Sequence, residues 1–219
     1  MNNMCKKIDF LIEQGVIFAD PSRVDIRGDL ACGKNVVIDI NVIFEGSVKL
    51  DDNVSIGANC ILEDSVIGSS SKIKPFSLIE GATIGSNTFI GPYGRIRYGT
   101  ILEDFVQIGN FVEIKNSVVK SNSRINHLSF IGDSDLGSSV TIGAGTITCN
   151  HNGIKINRTC IGENAYIGSG CNLIAPITIG SNSTIAAGST LDKDAPCDQL
   201  TIARARQKSI LPFNRSVKK

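Results

Sequence analysis

A large apolar residue returns every six positions in this chain, and that period limits its fold more than any other feature. Sampling sixth residues gives Ile38, Phe44, Leu50, Ile56 and Leu62, then Ile84, Ile90, Ile96, Leu102, Ile108 and Ile114, then Ile161, Ile167, Leu173, Ile179, Ile185 and Leu191. Two further stretches, Ile67, Ile73, Ile79 and Val119, Ile125, Ile131, Leu136, Ile142, continue the series with steps of five where the phase slips. A helix repeats near 3.6 and a half-buried strand at 2, so a period of six fits neither. It fits a coil of very short strands separated by tight turns, each sixth side chain entering a narrow axial core. Three hexads make a triangular coil of 18 residues, or 17 where one hexad is short. Stacked coils pair in parallel at about 4.8 Å, so residues 17 or 18 apart become vertical neighbours.

Four residues after many in-phase positions stands a small or β-branched residue, among them Val42, Val54, Cys60, Thr88, Val106, Ala165, Cys171 and Ser183. Glycine often follows the aliphatic residue directly, as at Gly57, Gly85, Gly109, Gly143, Gly162 and Gly168, and is expected there to permit the turn geometry. An antiparallel sandwich or barrel is the competing fold, but hairpins do not hold a strict six-residue phase. The expected class is all-β, a parallel β-helix over residues 21–203. Residues 1–20 lack the hexad, and Ile8, Leu11, Ile12 and Gly15 predict a short helical arm stopped by Gly15 or by Asp20-Pro21. The phase is interrupted near 149–160, where the chain must leave the coil as an extruded loop. A basic C-terminal tail, 204–219, carries Arg204, Arg206, Lys208, Arg215, Lys218 and Lys219 with no acid, and reads as a disordered end or a phosphate-binding strap.

Twenty-two Lys and Arg against 21 Asp and Glu leave no basic surface to argue for nucleic acid. Seven cysteines, odd in number and without a C-x-x-C pair, fit reduced thiols in a cytosol. The apolar stretch from Phe10 to Ala19 is broken by Glu13 and Gln14 and has no small-residue cleavage site, so neither a membrane span nor a signal peptide is expected. These features together point to a cytoplasmic protein.

The vertical-neighbour rule stacks Arg97 over Lys115, 18 residues apart, each directly after an in-phase Ile. Two cations so placed repel unless an anion or carboxylate lies between them. Arg95 and Glu113 can satisfy each other as a parallel pair, whereas Arg97 and Lys115 have no such partner in sequence, so their column reads as an anion site, with a solvated face as the alternative. His127 falls two residues past Ile125, at a turn, with Asn110 as its neighbour one coil below, and is either incidental or a base set between the anion column and the inserted loop. With only His127 and His151 in the chain, a three-imidazole metal site cannot be assembled, and no metal is expected. Cys149 has no base visibly paired with it and is set aside as a nucleophile.

The run Gly91-Pro92-Tyr93-Gly94-Arg95-Ile96-Arg97, with Gly109 to Lys115, His127 to Asp133 and Ile142 to Asn150, resembles the acetyltransferase half of the bifunctional glucosamine-1-phosphate acetyltransferase / N-acetylglucosamine-1-phosphate uridyltransferase. The similarity runs from about Asp20 to Gln207. It implies a left-handed β-helix, a homotrimer with active sites between subunits, and transfer of acetyl from acetyl-CoA to the amine of glucosamine 1-phosphate, a step of UDP-N-acetylglucosamine biosynthesis. By the same resemblance Arg97 and Lys115 bind the sugar phosphate, His127 is the general base, and Ala144, Asn150, Ser169, Ala187 and Arg204 contact acetyl-CoA. A base must take a proton from the amine as it attacks the thioester, and backbone N–H groups of a Gly143-Ala144-Gly145 turn can meet the oxyanion. Departures gather around the pocket: Phe130 replaces a family Tyr, Thr141 a family Asn, His151 a Tyr after Asn150, and Ile156 a Lys for which the adjacent Lys155 can substitute. The family's nucleotide-binding half is not in this sequence, so no uridyl transfer is expected. Because the changed positions surround the sugar, a different amino sugar, including a nucleotide-linked one, is the alternative acceptor. A catalytically inactive trimeric scaffold is the alternative from another class.

Overall fold

The six-residue period becomes three flat faces. In the computed structural model, which describes residues 3–209, strands of two to four residues form three sheets of 11, 10 and 9 strands, each pairing in parallel with the strand one coil further along. On the first face the register stacks Ile56, Ile73, Ile90, Ile108, Ile125 and Ile142. The second face stacks Ile79, Ile96, Ile114 and Ile131, and the third stacks Ile67, Ile84, Leu102, Val119 and Leu136. All of these side chains are buried in one continuous core, joined at the corners by the smaller Val54, Cys60, Val106, Ala165 and Cys171. Branched aliphatics suit this arrangement because their stiff side chains pack well on a pleated surface buried from within.

The sheets absorb the inserted segment without breaking. Across it the pairing offset lengthens to 25 residues on every face, from Leu136 to Ile161, Thr141 to Tyr166 and Ile147 to Asn172, and then returns to 18. The extruded loop is narrower than 149–160: Cys149 still closes the strand Ile147–Cys149, and Thr159–Ile161 is already the next strand. Between them residues 150–158 fold back as a hairpin held by an antiparallel bridge from His151 to Ile156, with Ile154 at its tip 90% exposed.

Two expectations about local structure change. The helix Asn3–Glu13 is ended by Gly15 at φ +91, and its Ile8 and Leu11 join the core beside Val24 and Ile26. The sheet then begins at once, with Ile17–Phe18 pairing Val37–Ile38, so the arm is shorter than 1–20. Gly57, Gly85, Gly109, Gly143, Gly162 and Gly168 do not supply left-handed backbone. That conformation falls to Asn35, Asn41, Asn53, Asn59, Asn87 and even Phe76, Tyr93 and Phe111, while Gly109, Gly143 and Gly162 sit outside it. A Cβ at Gly143 would run into the backbone nitrogen of Ser169, and one at Gly162 would come within 2.5 Å of Ser181 N. Close approach of successive coils, not φ, selects these glycines. No strand follows Leu200–Thr201 among the described residues, and the tail's Arg215, Lys218 and Lys219 lie outside them.

Candidate active site

Two corners, one on each side of the second face, gather the predicted residues. The first lies where the first face turns into the second. Because Ile108, Ile125, Ile142, Ile167 and Ile185 are in register, the residues two positions further on stack as Asn110, His127, Ala144, Ser169 and Ala187. Main-chain hydrogen bonds tie the column together: Gly145 N–H donates to His127 O (3.3 Å), Gly170 N–H to Ala144 O (2.8 Å) and Gly188 N–H to Ser169 O (2.8 Å). Arg204 crowns it, its guanidinium donating to Ala187 O at 2.5 Å. His127 is exposed, and the Ser129 hydroxyl donates to its carbonyl (2.8 Å). Of the three N–H groups in the Gly143-Ala144-Gly145 turn, Gly143 is taken by Ile167 O and Gly145 by His127 O, which leaves Ala144 without an acceptor among the described residues. Directly below, along the same corner, Phe76, Tyr93 and Phe111 stack with ring centroids 5.1 Å apart and about half of each ring side chain exposed.

The second corner lies where the second face turns into the third. The register Ile96 to Ile114 places Arg97 and Lys115 in one column, with Arg97 N–H donating to Ile114 O (2.9 Å). The cations are not unpartnered. Arg97 bonds Glu113 Oε1 (2.7 Å), and Lys115 Nζ stands 3.8 Å from Asp133 Oδ2. Arg95, expected to hold Glu113, turns instead to Glu80 Oε2 at 3.5 Å. Each arginine takes a diagonal partner on an adjacent coil, which long side chains reach easily, and both are neutralised. Asp133 was invisible as a site residue in the hexad phase, yet it is 17 residues from both Asn116 and Asn150, and it accepts from the two amides (2.6 and 2.5 Å). Phe130 stacks in register between Glu113 and Ile147, and its ring tip, with the Asn150 amide, fills the space a Cβ on Gly132 would need. Arg97, Lys115, Phe130 and Asn150 are thereby one continuous cluster.

The remaining predicted residues lie elsewhere. Thr141 is on the first face between Arg124 and Tyr166, and its hydroxyl makes no hydrogen bond among the described residues. His151 and Lys155 ride on the exposed hairpin, where the His151 Nδ1 accepts from Gly153 N–H (3.2 Å) and Lys155 N–H donates to Asn152 Oδ1 (2.9 Å). Burial pushes the Cys149 thiol above its ordinary range, which disfavours the thiolate a nucleophile needs. The same cause raises Cys60 to about 11 and Cys32 to about 12, and Cys32, Cys60, Cys149, Cys160, Cys171 and Cys197 are all free. A groove of about 670 Å³ lined by Val118, Lys120, Leu136, Cys160 and Cys197 belongs to the third face and includes none of the predicted residues. No described group of His, Cys, Asp and Glu could hold a metal ion, and no described helix is long and apolar enough to cross a membrane.

Triangular coils and parallel registers with a six-residue period define a β-helix of the hexapeptide-repeat class. Residues 160–193 match the bacterial transferase hexapeptide family (six repeats), and residues 24–110 match the GMPPB C-terminal domain. Within that class the chain is similar to part of the bifunctional protein GlmU of several bacteria. It is 57% identical over 209 residues to the bifunctional protein GlmU of Nitrosospira multiformis and 52% identical over 209 residues to that of Aromatoleum aromaticum. These alignments cover 95% of this chain but 45% and 46% of the relatives, so the chain spans about half the length of the curated relatives it matches. Among solved structures, the UDP-N-acetylglucosamine acyltransferase from Campylobacter jejuni aligns at 18% identity and a TM-score of 0.44 over 73% of this chain and 66% of that one.

Proposed function

We propose that this chain transfers the acetyl group of acetyl-CoA to the amine of glucosamine 1-phosphate. The observation that carries the reading is the pairing of two unlike corners on one face: an imidazole at the foot of a main-chain column, and a two-cation column at the opposite edge. Arg97 and Lys115 hold the sugar phosphate, and so fix the amine in place. His127 takes the proton released as the amine nitrogen bonds to the acetyl carbon and returns it to the sulfur as the carbon–sulfur bond breaks, so the coenzyme leaves as its thiol. The Ala144 N–H meets the charge that develops on the carbonyl oxygen. Ser169, Ala187 and Arg204 continue the column along which the coenzyme lies, Asn150 and His151 contact the coenzyme from the hairpin, and Lys155 serves the sugar.

A homotrimer is part of this reading. It is supported by the exposed Phe76-Tyr93-Phe111 stack on the His127 corner, because rings spaced at the pitch of the coils are matched by a second copy lying parallel. A second acceptor, a different amino sugar, is favoured by Phe130, whose ring offers no hydroxyl to the phosphate.

The test is thiol release from acetyl-CoA by the purified chain. Release that depends on glucosamine 1-phosphate is the expected result. Release only with other amino sugars selects the second acceptor, and none with any amino sugar overturns the reading.

A further inference from the structure

Asp133 takes no part in the reaction set out above, yet more of the site converges on it than on any residue assigned a role. We infer that Asp133 is a positioning residue that locks the inserted hairpin to the anion column, an inference that rests on the proposed acetyl transfer for its effect on the acceptor. Its side chain is 3% exposed, and its backbone is left-handed at φ +49. Oδ1 accepts from Asn116 Nδ2 (2.6 Å), while Oδ2 accepts from Asn150 Nδ2 (2.5 Å) and faces the Lys115 ammonium at 3.8 Å. The main chain adds two more links: Asp133 N–H donates to Lys115 O (2.9 Å), and Asp133 O accepts from Thr159 N–H (3.2 Å). Asn150 enters the hairpin and Thr159 leaves it, so both ends of the inserted segment are fastened to one residue. Asn157 N–H closes the neck onto Asn150 O at 2.7 Å.

Other corners show what an ordinary ladder looks like. Asn35 donates to Asn53 and Asn164 to Asn182 in exposed amide-to-amide contacts. Position 133 works differently: amide donors reach it from both sides and its carboxylate accepts from both, whereas an asparagine there would accept from one and donate to the other, with no charge to offer Lys115. The negative charge also balances Lys115 at the depth where the hairpin is rooted. Lys115 and the hairpin's His151 and Lys155 are therefore held in fixed relation by one buried acid.

Asp133→Asn keeps the volume and tolerates the left-handed backbone, so it removes the charge and one acceptor with little else. Limited trypsin digestion of the full chain, read by mass spectrometry, is expected to cut D133N after Lys155 or Arg158 at least about fivefold faster than wild type. Steady-state kinetics are expected to show an acceptor KM about tenfold higher with kcat changed less than about threefold, the loss of one charge-assisted contact. Asn116→Ala, which removes a donor on the side away from the hairpin, leaves both readouts at wild type. Equal effects in N116A would reduce Asp133 to general stabilisation and overturn the inference. So would wild-type cleavage of the hairpin in D133N or, should D133N not fold, in Asn150→Ala. An unchanged acceptor KM in active D133N overturns the link to Lys115. A wild-type chain inactive towards every amino sugar defeats the proposed reaction instead, and the cleavage comparison still decides the role of Asp133.

Discussion

The corners on either side of the second face work with opposite materials. The His127 corner is built from Ala144, Ser169 and Ala187, with Gly143 and Gly168 pressed against the next coil, so main chain is what it presents. The Arg97 corner is built from long charged side chains, each already engaged by Glu113 or Asp133. The first is fixed by sterics and has nothing to rearrange. In the second, an arriving phosphate must share Arg97 with Glu113, while the buried Asp133 holds Lys115 in place, so affinity at the arginine is a difference between two attractions. One fold thus supplies a rigid edge and an adjustable one.

Breaking the rigid corner should have the larger effects. His127→Ala is expected to lower kcat by about 10²–10⁴ while thermal unfolding stays at wild type, since the side chain is exposed and off the core. Turnover within a few-fold of wild type would remove His127 as the base. Gly143→Val adds branched carbons where Ser169 N already stands, and urea unfolding is expected to show a loss of about 1–3 kcal/mol. Wild-type stability would mean that the coils can part and the corner is not sterically fixed. The adjustable corner should respond more gently. Arg97→Ala leaves Lys115 in place and is expected to raise the acceptor KM about tenfold with kcat near wild type. An unchanged KM would show that Arg97 belongs to Glu113 alone.

The periodicity made much of this legible. Every in-phase residue fell in the core, and the 17- or 18-residue rule placed Arg97 over Lys115 and His127 over Asn110 before any coordinates. What it could not supply was which way a side chain leans. Arg95 and Glu113 are in register, yet each bonds a diagonal neighbour, because register fixes Cα positions and long side chains choose among several partners. The glycines directly after aliphatic residues follow a related logic: a turn needs a left-handed residue and a close approach, the first supplied two residues on, as by Asn164 or Gly145, and the second by Gly162 or Gly143. Asp133 escaped notice because its partners come from two different coils and a loop.

Since the coils rise by a constant step of about 4.8 Å, the column from Ala144 through Ser169 and Ala187 is a ruler graduated in whole turns. Its length can change only by adding or removing a complete triangle of chain. A fused or deleted coil between Ile167 and Ile185 would move Arg204 by one graduation relative to His127, so the span between these two residues can change only in those increments.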